Sequence, residues 1–254
     1  MRVTFLGTGT SQGVPVIGCT CAVCQSKDVR DNRLRSALLI EYGSTVLVVD
    51  TGPDFRYQML RAQVKKLDAI LITHSHKDHI AGLDDVRAFN FMQQRAIRIY
   101  SSVASQDALK REFHYAFADF KYPGIPQLEL IELTPGTGFE IAGQSIMPIE
   151  VMHHKMSVLG FRIGDFAYIT DAKTVSVASR KLLEGVQTLV INALQEEPHI
   201  SHFTKSEAIE FAQEINAQKT YFTHISHKLG KHEAVQASLP AGIFLAYDQL
   251  VLDL

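Results

Sequence analysis

Residues 68–79 read Asp68-Ala69-Ile70-Leu71-Ile72-Thr73-His74-Ser75-His76-Lys77-Asp78-His79. The apolar first half is typical of a buried strand. Residues two apart in a strand point the same way, so His74 and His76 can bind one metal ion while Asp78 and His79, where the chain turns, reach a second. Imidazole and carboxylate ligands suit Zn²⁺, Mn²⁺ or Fe, and the lack of thiolates here indicates a catalytic centre. A solvated polar loop is the alternative that this density of histidines argues against.

The bulk composition predicts one globular domain over residues 1–254. The chain is 46% hydrophobic, which is enough for a buried core. Its 25 Lys and Arg against 27 Asp and Glu give a net charge of -2, so no overall basic field attracts nucleic acid. Neither an export signal nor a membrane-spanning apolar run is visible, and we expect a cytoplasmic protein. The sequence leaves open whether it forms a homodimer.

All three cysteines, Cys19, Cys21 and Cys24, lie close together. An odd, clustered set in a chain without an export signal argues against a disulfide framework. The spacing C-x-C-x₂-C supplies three of the four ligands of a tetrahedral zinc site. We therefore expect a structural zinc loop near residues 18–27, with the fourth ligand from elsewhere. Buried or redox-active thiols are the alternative.

Hydrophobic periodicity predicts strands and helices in two similar halves, without a linker between them. Strands are predicted at 36–42, 45–50, 68–73, 97–101, 128–133, 139–141, 146–152, 159–163, 166–170, 188–193 and 221–223. Helices are predicted from residue 54, over 83–92 with Leu83, Val86, Phe89 and Met92 inward, over 105–117 and from residue 204. Two β-rich layers, each covered by helices, make an α/β four-layer αββα sandwich. An aromatic, proline-rich loop at 117–127 could line a substrate mouth or cover the core.

Polar residues recur where these strands end. They are Asp50, His153 and His154, Asp171, His199 and His202, and His224 with His227. Strand ends that converge on one rim are the expected geometry of an open site. Asp50 is either an orienter of the ligands or a cap. The glycine-rich residues 7–13 are either a turn or a phosphate contact, while His114 and His232 have no motif context and are expected at the surface or in ordinary packing.

The order H-x-H-x-D-H, a later histidine, an aspartate at a strand end and a final histidine resembles the metallo-β-lactamase superfamily over the whole chain. G-T-G-T-S-Q-G-V-P at 7–15, the cysteine motif and T-H-I-S-H at 223–227 resemble its phosphoribosyl 1,2-cyclic phosphodiesterase subgroup. The resemblance implies two catalytic divalent ions, Zn²⁺ or Mn²⁺, and one structural Zn²⁺. It implies these ligands: His74, His76 and His153 for the first ion; Asp78, His79 and His224 for the second; Asp171 as a bridge; Cys19, Cys21, Cys24 and His227 for the structural zinc.

Either His153 or the adjacent His154 is the later histidine ligand. Adjacent strand residues face opposite sides, so only one of His153 and His154 can be a ligand unless the strand is bulged. The segment from His153 to Met156 looks like the H-x-K-L pattern of relatives, which favours His153. Asp78 and His202 are the expected catalytic residues. His202 precedes Thr204 and Glu207, which predict a capping box, and it matches a catalytic histidine of the cyclic phosphodiesterases, whereas His199 is expected only to shape the loop.

The expected activity is hydrolysis of a small cyclic or nucleotide-like phosphodiester by a hydroxide held between the two ions, with protonated His202 as general acid. RNA 3′-end processing is the nearest alternative, but the sequence has no long basic insertion like the tRNA-gripping arm of those enzymes. Thioester or lactone hydrolysis uses the same fold, because fold does not fix function. A non-catalytic metal-binding protein is the remaining alternative, which the complete ligand set argues against.

Overall fold

The protein is a sandwich of two β-sheets. The computed structural model describes residues 1–119 and 122–254. The first sheet is built from β1 (Arg2–Gly7), β2 (Ala37–Tyr42), β3 (Thr45–Val49), β4 (Ala69–Leu71), β5 (Ile97–Ser101), β6 (Leu128–Glu132) and β14 (Val251–Asp253). The second is built from β7 (Phe139–Ile141), β8 (Gln144–His153), β9 (Met156–Ile163), β10 (Phe166–Tyr168), β11 (Thr188–Asn192), β12 (Lys219–Thr223) and β13 (Ile243–Leu245).

The two sheets have matching topologies. The strand orders are β14-β1-β2-β3-β4-β5-β6 and β13-β12-β11-β10-β9-β8-β7. Strands β3 to β6 run parallel in the first sheet, as do β10 to β13 in the second. The predicted strands at 36–42 and 45–50 are joined as a hairpin at Gly43-Ser44, with Tyr42 paired to Thr45. Because parallel strands end at the same edge of a sheet, their terminal residues are gathered at one rim.

Helices cover both outer faces. They are α1 (Phe55–Arg61), α2 (Lys77–Ile80), α3 (Arg87–Gln93), α4 (Val103–Glu112), α5 (His114–Phe117), α6 (Val177–Lys181), α7 (Lys205–Ile215) and α8 (His232–Ser238), with short 3₁₀ turns at Val29–Asp31 and Leu83–Val86. Within the described ranges, none of these helices combines the length and apolar character needed to cross a membrane.

Three apolar layers hold the sandwich together. Phe5, Phe161 and Tyr168 are buried between the sheets. Phe55 and Phe89 are among the residues that pack α1 and α3 on the first sheet. Another apolar layer lies between the second sheet and its helices. Burial of this kind stabilises by about 25 cal/mol per Å² of apolar surface. The predicted four-layer αββα architecture is confirmed.

Two helix predictions were wrong in detail. The helix expected over 105–117 is two helices, α4 and α5, separated at Phe113, whose φ of -113° and ψ of 38° are not helical. Met92, expected inward, is 58% exposed. The segment begins as a 3₁₀ turn, in which residues three apart eclipse, and continues as an α-helix, in which each step of three rotates by about 60°, so Met92 turns away from the core. In the loop predicted at 117–127, Phe120 lies outside the described residues and Tyr122 is exposed.

Candidate metal centres

Most of the predicted catalytic ligands lie at one rim of the sandwich. Asp50 follows β3, His153 ends β8 and His224 follows β12. Asp50, Asp171 and His224 have φ angles of 65°, 56° and 54°, a left-handed conformation that costs non-glycine residues energy. Such bends turn the side chain out of the strand direction. Three of them around one point are typical of a functional site rather than of ordinary strand termini.

Carboxylates and imidazoles make close contacts at this rim. The Nε2 atom of His79 lies 3.2 Å from Oδ2 of Asp78 and 3.2 Å from Oδ2 of Asp171. The Nδ1 atom of His224 lies 3.3 Å from the same Asp171 oxygen. Ligands about 2.0–2.1 Å from one Zn²⁺ ion at a tetrahedral angle would be about 3.4 Å apart. The spacing therefore fits shared coordination.

The remaining predicted ligands extend the cluster. The ring centroids of His74 and His76 are 4.6 Å apart, and those of His76 and His153 are 5.1 Å apart. Ligand atoms of His74, His79 and Asp171 all lie within 4.8 Å of one another. The structure thus brings together all seven residues expected at the two catalytic ions, with Asp171 in contact with the histidines of the second group and close to His74 of the first.

Buried ring nitrogens without partners indicate what the cluster holds. Among the described residues, Nε2 of His74, Nε2 of His79 and Nδ1 of His224 are buried and make no hydrogen bond. Orphaned buried polar atoms are costly, and they persist where an ion or a ligand satisfies them. Together with the carboxylates of Asp78 and Asp171, this donor set fits divalent metal ions such as Zn²⁺ or Mn²⁺.

The other ring nitrogen of several of these histidines is engaged by the protein. Nδ1 of His79 donates to Oδ2 of Asp50 at 2.7 Å. Nδ1 of His74 lies 3.0 Å from the Thr73 hydroxyl, which donates to Asp50. Asp50 therefore lies behind the histidines, where it fixes the ring of His79 and leaves Nε2 free for an ion. The orienting role considered from the sequence agrees with this geometry.

Electrostatics divide the histidines into two groups. Burial lowers the pKa of His74 well below its usual range, and it also lowers the pKa of His76 and of His224. A lowered pKa favours the neutral ring, which is the form that binds a metal ion. Burial also opposes the charged form of His79, but the carboxylates of Asp171, Asp50 and Asp78 outweigh it and raise its pKa. The same negative charge that favours a proton there would favour a metal cation.

The structure distinguishes His153 from His154. His153 ends β8, is buried, and has Nδ1 2.9 Å from the backbone oxygen of Ser201, which accepts its proton. His154 begins the turn to β9 with φ of 56° and is exposed. The left-handed turn residue points away from the cluster. The sequence preference for His153 therefore agrees with the placement of the two side chains.

His202 borders the cluster on the side of the second sheet. Its Nδ1 is buried without a hydrogen bond to a described residue and lies 3.8 Å from Oδ1 of Asp171. Its ring centroid is 4.5 Å from that of His153 and 5.0 Å from that of His199. Burial, and then His224, lowers the pKa of His202 to about 3. A pKa lowered in this way favours the neutral ring in the absence of substrate.

The capping box before α7 is present. The Thr204 hydroxyl accepts from the Glu207 amide at 3.2 Å, and the Glu207 carboxylate accepts from the Thr204 amide at 2.8 Å. The Lys205 amide donates to the oxygen of Gln195. Three amides at this helix end are thus already engaged within the protein, so they are not available to bind a phosphate. Nδ1 of His199 accepts from the Ser201 amide at 3.3 Å, consistent with a role in shaping the loop.

A second candidate metal centre lies apart from the histidine cluster. Nδ1 of His227 lies 3.2, 3.4 and 3.5 Å from the sulfurs of Cys19, Cys21 and Cys24. Zinc–nitrogen and zinc–sulfur bonds of about 2.0 and 2.3 Å at a tetrahedral angle give a nitrogen–sulfur distance of about 3.5 Å. The four residues fit one zinc ion. The hydrogen bond of the Cys24 amide, and then His227, lowers the pKa of Cys21 to about 6, which favours the thiolate that zinc requires.

Other residues at the site were not selected from the sequence. Thr10 contacts Nε2 of His224 at 3.1 Å, and Thr73 and Ser201 contact His74 and His153. No spacing rule relates these partners to the ligands. The sequence itself does single out the glycine-rich loop that contains Thr10, as either a turn or a phosphate contact. Outside the site, His114 is exposed as expected, and His232 is buried, with Nδ1 accepting from Arg33 at 3.2 Å.

Comparisons with known proteins agree with this geometry. Residues 45–225 match the family model described as the β-lactamase superfamily domain. The solved structure of a diphosphatase from the PhnP family is 41% identical, with a TM-score of 0.93, and the match covers 99% of this chain and 97% of that one.

Two curated relatives are longer than this chain. An octanoyltransferase of Porphyromonas gingivalis is 38% identical over 253 residues, which are 98% of this chain and 51% of that protein. A ribonuclease Z of Nostoc punctiforme is 27% identical over 169 residues, which are 65% of this chain and 47% of that protein. The chain thus spans about half the length of the curated relatives that it matches.

Proposed function

The chain belongs to the PhnP family of the metallo-β-lactamase superfamily of hydrolases, and on that premise we propose that it is a dinuclear metal-dependent phosphodiesterase acting on a small cyclic or nucleotide-like phosphate. The observation that carries the proposal is the convergence of orphaned nitrogens on His74, His79 and His224 with the carboxylates of Asp78 and Asp171. The PhnP-family diphosphatase supports phosphate chemistry, since it is 41% identical to this chain and the match covers 99% of this chain and 97% of that one.

The proposed ligand sets are those that the family resemblance implies. His74, His76 and His153 would hold one ion, Asp78, His79 and His224 the other, and Asp171 would serve both. Divalent ions bound there would lower the pKa of a water molecule and offset the charge of the phosphoryl oxygens. The third ion, a structural zinc, would be held by the cysteines and His227.

His202 would act on the leaving group. Its ring lies beside His153 and Asp171 without being needed by either three-residue ligand set. With a pKa of about 3 it is neutral before substrate binds. A phosphate anion beside the ring would raise that pKa, because an opposite charge favours the protonated form. His202 would then donate a proton to a departing ribose oxygen, a contribution of typically ~10² to 10⁴ in rate.

A substrate panel tests the proposal. We expect the zinc- or manganese-loaded protein to hydrolyse a ribose cyclic phosphate, or a dinucleotide joined by a diphosphate, with kcat/KM at least ~10³ times that for an acyl thioester or a precursor tRNA, because binding tuned to a different reacting group loses several kcal/mol in the transition state. His79→Ala, purified in the same way, identifies any contaminating phosphatase. Turnover of the thioester or the tRNA alone would overturn the proposal.

A second candidate is hydrolysis of an acyl thioester, which the octanoyltransferase relative favours. That match covers 98% of this chain but 51% of the relative, so acyl transfer can belong to the half that this chain does not match. An octanoyl thioester in the panel separates the two candidates. The ribonuclease Z of Nostoc punctiforme favours RNA processing less, because its 27% identity extends over 65% of this chain.

A further inference from the structure

The glycine-rich loop at residues 7–13 lies between two other segments, one at Leu34 and one at Ile225. The Gly9 amide donates to the oxygen of Leu34 at 2.7 Å on one side. On the other side the Thr10 amide donates to the oxygen of Ile225 at 3.1 Å, and the Ile225 amide donates to the oxygen of Thr8 at 2.9 Å. The loop therefore pairs with the residue that directly follows His224. Its backbone is fixed relative to the end of β12.

The glycines allow this close approach. A Cβ atom on Gly7 would lie 2.0 Å from the backbone oxygen of Arg35, and one on Gly9 would lie 2.8 Å from that of Arg33. Neither position can hold a side chain without moving the loop. The sequence left open whether this segment is a turn or a phosphate contact. Its backbone pairing with Ile225 indicates that the segment supports the end of β12. Thr10 is held in place by bonds that do not involve its own side chain.

The Thr10 side chain contacts a predicted metal ligand. Its hydroxyl oxygen lies 3.1 Å from Nε2 of His224, and the pair is buried. The other ring nitrogen, Nδ1, has no hydrogen bond to a described residue and lies 3.3 Å from Oδ2 of Asp171. If Nδ1 keeps a lone pair for an ion, the ring proton is on Nε2, and the Thr10 oxygen accepts it.

We propose that Thr10 is a positioning residue of the metal centre: its hydroxyl holds His224 in the tautomer that presents Nδ1 to the second ion. The inference rests on the dimetal centre of the proposed function. His79 provides the comparison, since its Nδ1 is held by the Asp50 carboxylate and its Nε2 faces the cluster. The two histidines of the second ion thus present opposite ring nitrogens, and each is fixed by a different partner.

Removal of the hydroxyl is the first test. Thr10→Val keeps the shape of the side chain but leaves the Nε2 proton without an acceptor, and partners of this kind are worth ~10–100-fold in metal affinity. We expect chelator competition to show that loss for one of the two ions, with the melting temperature of the metal-free protein nearly unchanged. Thr10→Ser, which restores the hydroxyl, should recover the affinity.

Thr8→Val is the matched control. Thr8 is a buried threonine of the same loop whose hydroxyl donates to Asp248 at 2.9 Å and accepts from Arg33 at 2.8 Å. Its loss should lower the melting temperature and leave the affinity for the second ion unchanged. Equal affinity losses in the two valine variants would mean that the loop acts only through general stability, and would overturn the inference.

The coordinating nitrogen can also be read directly in the unchanged protein. With ¹¹³Cd²⁺ as the bound ion and ¹⁵N-labelled histidine, we expect scalar coupling from cadmium to Nδ1 of His224 and a retained proton on Nε2. Coupling to Nε2 would overturn the inference and leave the proposed function standing. A protein that binds no ion at the histidine cluster would overturn both. This measurement uses the unchanged protein, so it tests which nitrogen of His224 binds the ion even if a valine variant does not fold.

Discussion

The two candidate metal centres differ in how they are assembled. The candidate zinc loop would take three ligands from residues 19–24 and one from His227, and its cysteines are only partly buried. The histidine cluster takes its ligands from strand ends in both sheets, and most of them are buried. A closed set of four ligands with thiolates stabilises a fold, whereas a set of imidazoles and carboxylates at an open rim leaves room for substrate. Enclosure and donor type thus separate a structural centre from a catalytic one.

One short segment serves both centres. His224 follows β12 and faces Asp171, while His227, three positions later, faces the cysteine sulfurs. Between them Ile225 pairs with the glycine-rich loop. A structural zinc at the cysteine cluster would therefore anchor the chain directly after the proposed ligand His224. The variants below are ordered by their expected effect on turnover, and they test whether the two centres act as separately as their chemistry suggests.

His79→Ala should have the largest effect. The change removes a ligand that contacts both Asp78 and Asp171, and metal ions supply several kcal/mol of transition-state stabilisation, so we expect turnover to fall by about 10³-fold or more. The loss should be alike on a ribose cyclic phosphate and on a bis-nitrophenyl phosphodiester. Elemental analysis should show fewer ions per chain. Full metal content with normal turnover in this variant would show that His79 is not a metal ligand.

His202→Ala should have a smaller and selective effect. We expect both catalytic ions to remain bound and kcat to fall by ~10² or more on the ribose cyclic phosphate, because its alkoxide leaving group needs a proton. A nitrophenolate leaves without one, so the bis-nitrophenyl substrate should be affected far less. Steady-state kinetics on the two substrates provide the measurement. Equal losses with metals retained would assign His202 to orienting the substrate.

Asp50→Asn should act through metal affinity. The carboxylate is fully buried and accepts from His79 at 2.7 Å, and loss of such a partner typically costs 10–100-fold in affinity. Turnover at saturating metal should change less than the dissociation constant, which metal titration measures. Asp248→Asn is the matched control, because Asp248 is a mostly buried carboxylate that bonds Thr8 and the Leu34 amide instead. A similar affinity loss in both variants would argue against a specific role for Asp50.

Cys21→Ser should have the smallest effect on turnover per folded molecule. Structural zinc contributes directly to folding free energy, so we expect a lower melting temperature and about two bound ions per chain instead of about three. Elemental analysis and thermal melting measure the two quantities. Loss of turnover in protein that melts normally would instead show that the zinc loop belongs to the catalytic machinery.

Local sequence determined several features of this protein. The apolar run before His74, the C-x-C-x₂-C spacing and the capping box at Thr204 each depend on residues a few positions apart, and the structure contains the strand, the sulfur cluster and the cap. Alternating apolar residues likewise predicted the sandwich, because burial of one face dictates the period of a strand. The prediction that Met92 packs inward was wrong because the segment changes from 3₁₀ to α geometry. That change shifts the helical phase, and residue spacing does not reveal it.

Tertiary structure decided which distant residues meet. His227 lies 208 positions from Cys19, and the resemblance to a family, rather than spacing, suggested the pair. The turn after β8 points His154 away from the cluster. Backbone pairing between the glycine-rich loop and Ile225 brings Thr10 to His224, which lies 214 positions away. A local pattern specifies a residue's conformation and chemistry. Its long-range neighbours depend on how the strands are ordered and packed, which no short stretch of sequence contains.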